Sequence, residues 1–186
     1  RHTRCLSDWS SDVCSSDLVK QSRLTQTGWI VSQPCRVKGV SLRNSTAAVG
    51  RAFLFDTNTT PVTASYGQST TTVTVSSTAH GLSTGDTVSI GYVPDGSQRA
   101  ATCGTYPITK TGADTFTITD PNSFTVNSAT TCYYVTGTNR WMYVKGLSAA
   151  DQFINYELIP GEGMQARQKV YVILSSSMQS CIVYYG

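Results

Sequence analysis

Between Thr71 and Thr119 apolar side chains recur at every second residue, and turn-forming dipeptides cut the runs at short intervals. Val73 and Val75 alternate with threonines, His80-Gly81 and Gly85-Asp86 interrupt the chain, and Val88 and Ile90 resume the alternation. Tyr106 with Ile108, Phe116 with Ile118, and Phe124 with Val126 extend it. A period of two places alternate side chains on opposite faces of a strand, whereas an amphipathic helix needs apolar residues three and four apart. The segment is therefore expected to form five or six short strands joined by tight turns, as in a small β-barrel or sandwich.

The remaining sequence shares this bias. Thr, Ser, Val, Tyr and Gly are abundant and Glu, Lys and Leu are few, which predicts an all-β protein. The longest uninterrupted apolar run, Val170 to Leu174, falls far short of the ~20 residues that cross a bilayer as a helix, so no membrane partner is expected. Ser7 to Leu18 spells SDWSSDVCSSDL, the in-frame translation of a common sequencing adapter. Residues 1–18 are therefore expected to be non-native and unfolded, since so short and polar a segment buries too little to offset its ordering entropy.

From Val19 onward, 12 Lys and Arg face 8 Asp and Glu, a mild excess of +4 spread along the chain. A nucleic-acid binder concentrates its bases on one element, so no nucleic-acid partner is expected, and the nearby Arg36, Lys38 and Arg43 read as a solvated strand face.

Three sections follow residues 19–27, which read as a linker. In the first, Trp29-Ile30-Val31, Arg36 to Leu42 and Arg51 to Asp56 read as strands, with Lys38, Val40 and Leu42 on one face of the second. In the third strand Phe53 and Phe55 oppose Ala52 and Leu54, so both faces are apolar and the strand belongs inside a layered structure. The last section offers strands at Trp141 to Val144, Phe153 to Ile159, Val170 to Leu174 and Cys181 to Tyr185. Neither outer section closes a sandwich alone. The expected organisation is a discontinuous β-sandwich, immunoglobulin- or jelly-roll-like, from 28–69 and 137–186, with 70–136 inserted as a β-module.

The order AHGLSTGDTVSI (Ala79 to Ile90), GTYPI (Gly104 to Ile108) and ADTFTIT (Ala113 to Thr119) resembles the FCCH-like module, named after the first catalytic cysteine half-domain of ubiquitin-activating enzymes. Similar modules recur in phage virion proteins. No adenylation motif accompanies it, so the resemblance implies a small β-module and no ubiquitin chemistry. The outer sections, VKGVSLRNSTAAVGRAFLFD (Val37 to Asp56), IPGEGM (Ile159 to Met164) and SCIVYYG (Ser180 to Gly186), resemble short virion structural proteins of tailed phages.

Candidate chemistry is sparse. His80 is the only histidine outside residues 1–18, and neither a CxxC, an HxxxH nor a GxSxG elbow is present, so no catalytic set, cofactor or metal site is expected. His80, Gly81, Gly85 and Asp86 are expected to build turns, the imidazole and the carboxylate binding nearby backbone groups. Asp86, Asp95 and Asp114 lack the spacing of a calcium loop, and Glu157 with Glu162 is a conceivable glycosidase pair better explained by exposed positions. Cys103 with Cys132, and Cys35 with Cys181, are possible disulfides, with reduced buried thiols as the alternative. The tyrosines, with Trp29 and Trp141, suit either sheet packing or sugar stacking.

These features lead to an expected non-enzymatic virion structural protein, a capsid decoration protein or a neck or tail component. It would sit in the extracellular particle, form homo-oligomers and contact other virion proteins such as the major capsid or tail proteins. The alternative is a receptor- or glycan-binding module of a tail fibre or surface adhesin, with a host surface glycan as partner.

Overall fold

The structure is a computed structural model that describes residues 19–44, 50–95, 99–147 and 153–186. The expectation for residues 1–18 lies outside them. Every regular element among the described residues is a β-strand, and the strands form three sheets.

The chain opens with β1 (Lys20–Leu24), β2 (Gly28–Val31), β3 (Cys35–Asn44) and β4 (Gly50–Thr57). It continues with β5 (Val62–Ser69), β6 (Thr72–Ser76), β7 (Thr87–Tyr92), β8 (Gly104–Pro107), β9 (Thr109–Lys110), β10 (Thr115–Thr119) and β11 (Val126–Thr136). It closes with β12 (Arg140–Leu147), β13 (Phe153–Leu158), β14 (Met164–Ala166), β15 (Lys169–Leu174) and β16 (Met178–Tyr185).

The first sheet has the order β1-β16-β3-β13, with β14 also pairing β3, and the second has β12-β4-β15-β2. In each, a strand from the opening section lies between strands from the closing section, so the two ends of the chain make one sandwich. Its core gathers Val31, Val37, Val40, Leu42, Leu54, Val170, Val172, Cys181 and Val183, all from these outer sections.

The third sheet has the order β8-β7-β11-β5-β6-β10-β9. Its two edge strands, β8 and β9, are halves of one chain run separated only by Ile108, so the sheet curls nearly closed into a barrel-like module, called the barrel below. Val73, Val75, Val88, Ile90, Ile108, Phe116, Ile118 and Val126 fill it, as the alternation predicts, with Tyr106 and Phe124 packed at its margin. Tyr66, Tyr92, Cys132 and Tyr134 complete this core.

Three expectations are corrected. Residues 19–27 are not merely a linker, because Lys20–Leu24 pairs antiparallel with β16 from Lys20↔Tyr185 to Leu24↔Cys181. The barrel starts at Val62 instead of residue 70, because β5 pairs with both β6 and β11. Lys38 does not share the core face with Val40 and Leu42. The β3–β16 register shifts between Tyr184↔Gly39 and Tyr185↔Val37, a bulge that puts Val37 in the core and sends the Lys38 ammonium to the Glu162 carbonyl (3.1 Å).

Candidate functional site

The second sheet is buried on both faces. Ala52 and Leu54 of β4 point into the sandwich core, while Phe53 and Phe55 point the other way into a cluster with Tyr171 and Ile173 of β15 and Val135 of β11. Trp141, Val144, Tyr133, Val93 and Cys103 pack around that cluster, so it joins the sandwich to the barrel. Phe53 and Tyr133 meet edge to face with centroids 5.6 Å apart. Gly91 lies against Phe53 so closely that an added Cβ would stand 2.7 Å from Phe53 Cδ1. Beside this contact the Arg51 guanidinium donates to the Tyr92 carbonyl (3.4 Å).

Where the chain enters and leaves the barrel, its two ends are tied together. Asn139 Oδ1 accepts the Asn58 N–H (3.1 Å), and its amide donates to Thr59 Oγ1 (3.4 Å). Below them lies Asp56, 1% exposed, whose carboxylate accepts from Arg140 Nε (2.9 Å), the Arg167 N–H (3.0 Å) and the Gln168 N–H (2.8 Å). A buried carboxylate costs desolvation unless several donors meet it, and here one cation and two amides do. Asp120, equally buried, accepts from the Thr102 N–H and hydroxyl and from the Asn122 N–H (2.7 Å). Sequence reasoning gave neither aspartate a role, because the donors of Asp56 lie far along the chain and those of Asp120 include Thr102, eighteen residues back.

His80 Nδ1 accepts the Leu82 N–H (3.0 Å), which leaves the ring proton on Nε2 facing the Gly112 carbonyl (3.3 Å). Its ring packs edge-on against Phe116 with centroids 5.3 Å apart. Asp86 Oδ2 accepts the Ser83 N–H (2.8 Å), and Gly81 and Gly85 have φ of 68° and 95°, the left-handed region that glycine enters without a Cβ penalty. These four residues lie in one loop between β6 and β7, and the side-chain hydrogen bonds of His80 and Asp86 are to backbone. Asp114 Oδ1 accepts the Ala79 N–H (2.6 Å) and Asp95 Oδ1 the Arg99 N–H (3.0 Å), so the three candidate metal aspartates serve three separate turns. Among the described residues no group of three His, Cys, Asp or Glu side chains could hold a metal ion. Glu157 pairs with Lys145 (2.9 Å) across the edges of the two sandwich sheets.

The four cysteines among the described residues are free thiols. Cys132 stands opposite Tyr92 on β7, and Cys103, just ahead of β8 on the far side of β7, accepts the Tyr92 N–H at 3.3 Å. Two strand spacings, about 9.5 Å, separate the pair, beyond the ~7 Å that a disulfide spans. Cys181 lies opposite Leu42, whereas Cys35 lies opposite Ala166 at the other end of β3, so the second pairing is also out of reach. Burial raises all four thiols from the ordinary 9.0, Cys35 to about 11 and Cys181 to about 12. Such groups remain protonated and unreactive at neutral pH.

Most tyrosines pack within cores or seams, and one aromatic stands out. Trp29, 38% exposed at the edge of the second sheet, meets Tyr171 edge to face at 4.9 Å and carries Lys169 Nζ 5.4 Å from its ring centre. Compared with protein-family models, curated proteins and solved structures, the chain matches none.

Proposed function

We propose that the chain is a non-enzymatic structural protein of a tailed-phage particle, a capsid decoration protein or a neck or tail component, whose sandwich holds to the particle while the FCCH-like barrel projects. The observation that carries this reading is the stacking order: first sheet, second sheet, barrel, with the middle layer apolar on both faces through Ala52 and Leu54 on one side and Phe53 and Phe55 on the other. Such stacking gives the molecule two opposed ends in fixed relation, as a display unit on a lattice requires. The polar groups of the loop before β7 hold backbone, which suits a scaffold better than turnover. Its partners would be other virion proteins and further copies of itself, in the symmetric arrangement of particle lattices. Particles purified by density gradient from the source of this sequence are expected to yield tryptic peptides such as Ala100 to Lys110 in fixed ratio to the major capsid protein. Finding the peptides only in the cell fraction would sink the reading.

Trp29 favours a second reading, a receptor- or glycan-binding module, because an exposed indole braced by Tyr171 and Lys169 suits stacking on a sugar ring. That reading expects binding to host surface polysaccharide that Trp29→Ala abolishes, and fails if the chain retains no polysaccharide in a pull-down.

A further inference from the structure

We infer that the outer face of the first sheet is a docking surface for an acidic protein surface with an apolar centre. The inference rests on the virion reading, since it assigns the end of the molecule that meets the particle.

The register defines the face. Leu24, Cys181 and Leu42 lie side by side and point into the core, so their neighbours Arg23, Ile182 and Ser41 form a row pointing outward. The next row runs Gln21, Tyr184, Gly39 and Leu158 across four strands, and Arg43 stands beside Ser180 on the other side of the first. Leu158 is 63% exposed, the most exposed large hydrophobic residue described. Gly39 and Ser41 are buried beneath these side chains, and the Ser41 hydroxyl donates to the Tyr184 hydroxyl (3.3 Å). The centre is thus apolar, with arginines around it.

Charge gives the partner. By the same alternation Arg23, Arg36 and Arg43 face outward, whereas Lys20 shares the inward side of β1 with Leu24, Lys38 is held by the Glu162 carbonyl, and the one acid of these strands, Glu157, is neutralised by Lys145 of the second sheet. None of the three arginines joins an ion pair among the described residues. By sequence the sandwich segments (19–61 and 137–186) hold ten Lys and Arg against four Asp and Glu, and the barrel (62–136) two against four, so the ends carry +6 and −2. An apolar patch rimmed by Arg and Tyr is the anatomy of a protein interface, and a basic rim favours an acidic partner. Duplex nucleic acid would call for rows of bases that follow its phosphates, and a single strand for several exposed aromatic rings, whereas the most exposed apolar side chain here is the aliphatic Leu158. A symmetric pair of copies would set basic face on basic face.

The test uses particles assembled from the major capsid and neighbouring structural genes of the source contig, incubated with the full chain and sedimented. Wild type and Lys110→Glu, on the barrel, are expected to sediment equally. Arg23→Glu/Arg43→Glu and, separately, Leu158→Asp, all at exposed positions, are expected to lose at least about tenfold in occupancy. Wild-type occupancy by both sheet variants overturns the docking face alone, as does loss with Lys110→Glu only. Wild type that never sediments overturns both this inference and the virion reading.

Discussion

Tyr66 and Tyr92 pack ring to ring in the barrel, centroids 4.6 Å apart, yet their hydroxyls differ. Tyr66 donates to the Val93 carbonyl at 2.7 Å, whereas the buried Tyr92 hydroxyl has no partner among the described residues. Removing a satisfied hydrogen bond costs about 1 kcal/mol, and removing an unsatisfied buried hydroxyl costs nothing or stabilises. Urea titrations are therefore expected to show Tyr66→Phe destabilised by that amount and Tyr92→Phe at or above wild type. The thiols set a pH dependence. Cys35 and Cys181 are raised by burial from 9.0 to about 11 and about 12, so the folded chain keeps protons that the unfolded chain releases. Their contribution is complete below pH 9 and is lost as pH rises from 9 towards 12. Denaturation midpoints are expected to be flat from pH 7 to 8.5 and to fall above 9, and a rise there would contradict the burial. At this scale the sequence revealed what is local: His80 and Asp86 adjoin the glycines whose turns they brace. Asp56 was illegible because its donors, Arg140, Arg167 and Gln168, lie more than eighty residues away, and Asp120 because Thr102, eighteen residues back, supplies two of its three.

Strands with an apolar period of two were readable, and strands without one were not. KQSRL in β1 has a single large apolar residue, Leu24, because an edge strand needs only one face in contact and tolerates charge on the other. The β5–β6 hairpin escaped notice because its turn, Ser69-Thr70-Thr71, lacks Gly and Asn. Thr70 nevertheless adopts φ 55°, a left-handed conformation that a β-branched residue holds under strain. Its carbonyl, which accepts from Gln68 Nε2 and the Phe124 N–H, would survive a change to glycine. Thr70→Gly is accordingly expected to stabilise the protein by roughly 0.5–1 kcal/mol in thermal unfolding, and a loss of that size would show the strain to be absent. The bulge at Lys38 was equally hidden, since strict alternation assigns Lys38 the inward place that Val37 occupies.

For the whole molecule, the two-faced apolarity of Ala52 to Phe55 announced an interior layer, and the structure supplies what covers each face. Which strands cover it could not be read, because pairing partners lie a hundred residues apart in the chain. The seat of the barrel depends on Gly91, where a methyl group would meet Phe53 at 2.7 Å. Gly91→Ala is expected to cost about 1–3 kcal/mol, read as a lowered denaturation midpoint, because overpacking a tight contact forces neighbours to shift. A barrel merely tethered to the sandwich would tolerate it. The barrel's own core contains no sandwich residue, and the chain enters and leaves it at neighbouring points near Asn58 and Asn139. Residues 62–136 expressed alone therefore test the guest-and-host organisation most directly, by the amide dispersion of a two-dimensional NMR spectrum. A dispersed spectrum with a cooperative melt is the expected result, and a collapsed, random-coil spectrum would contradict it.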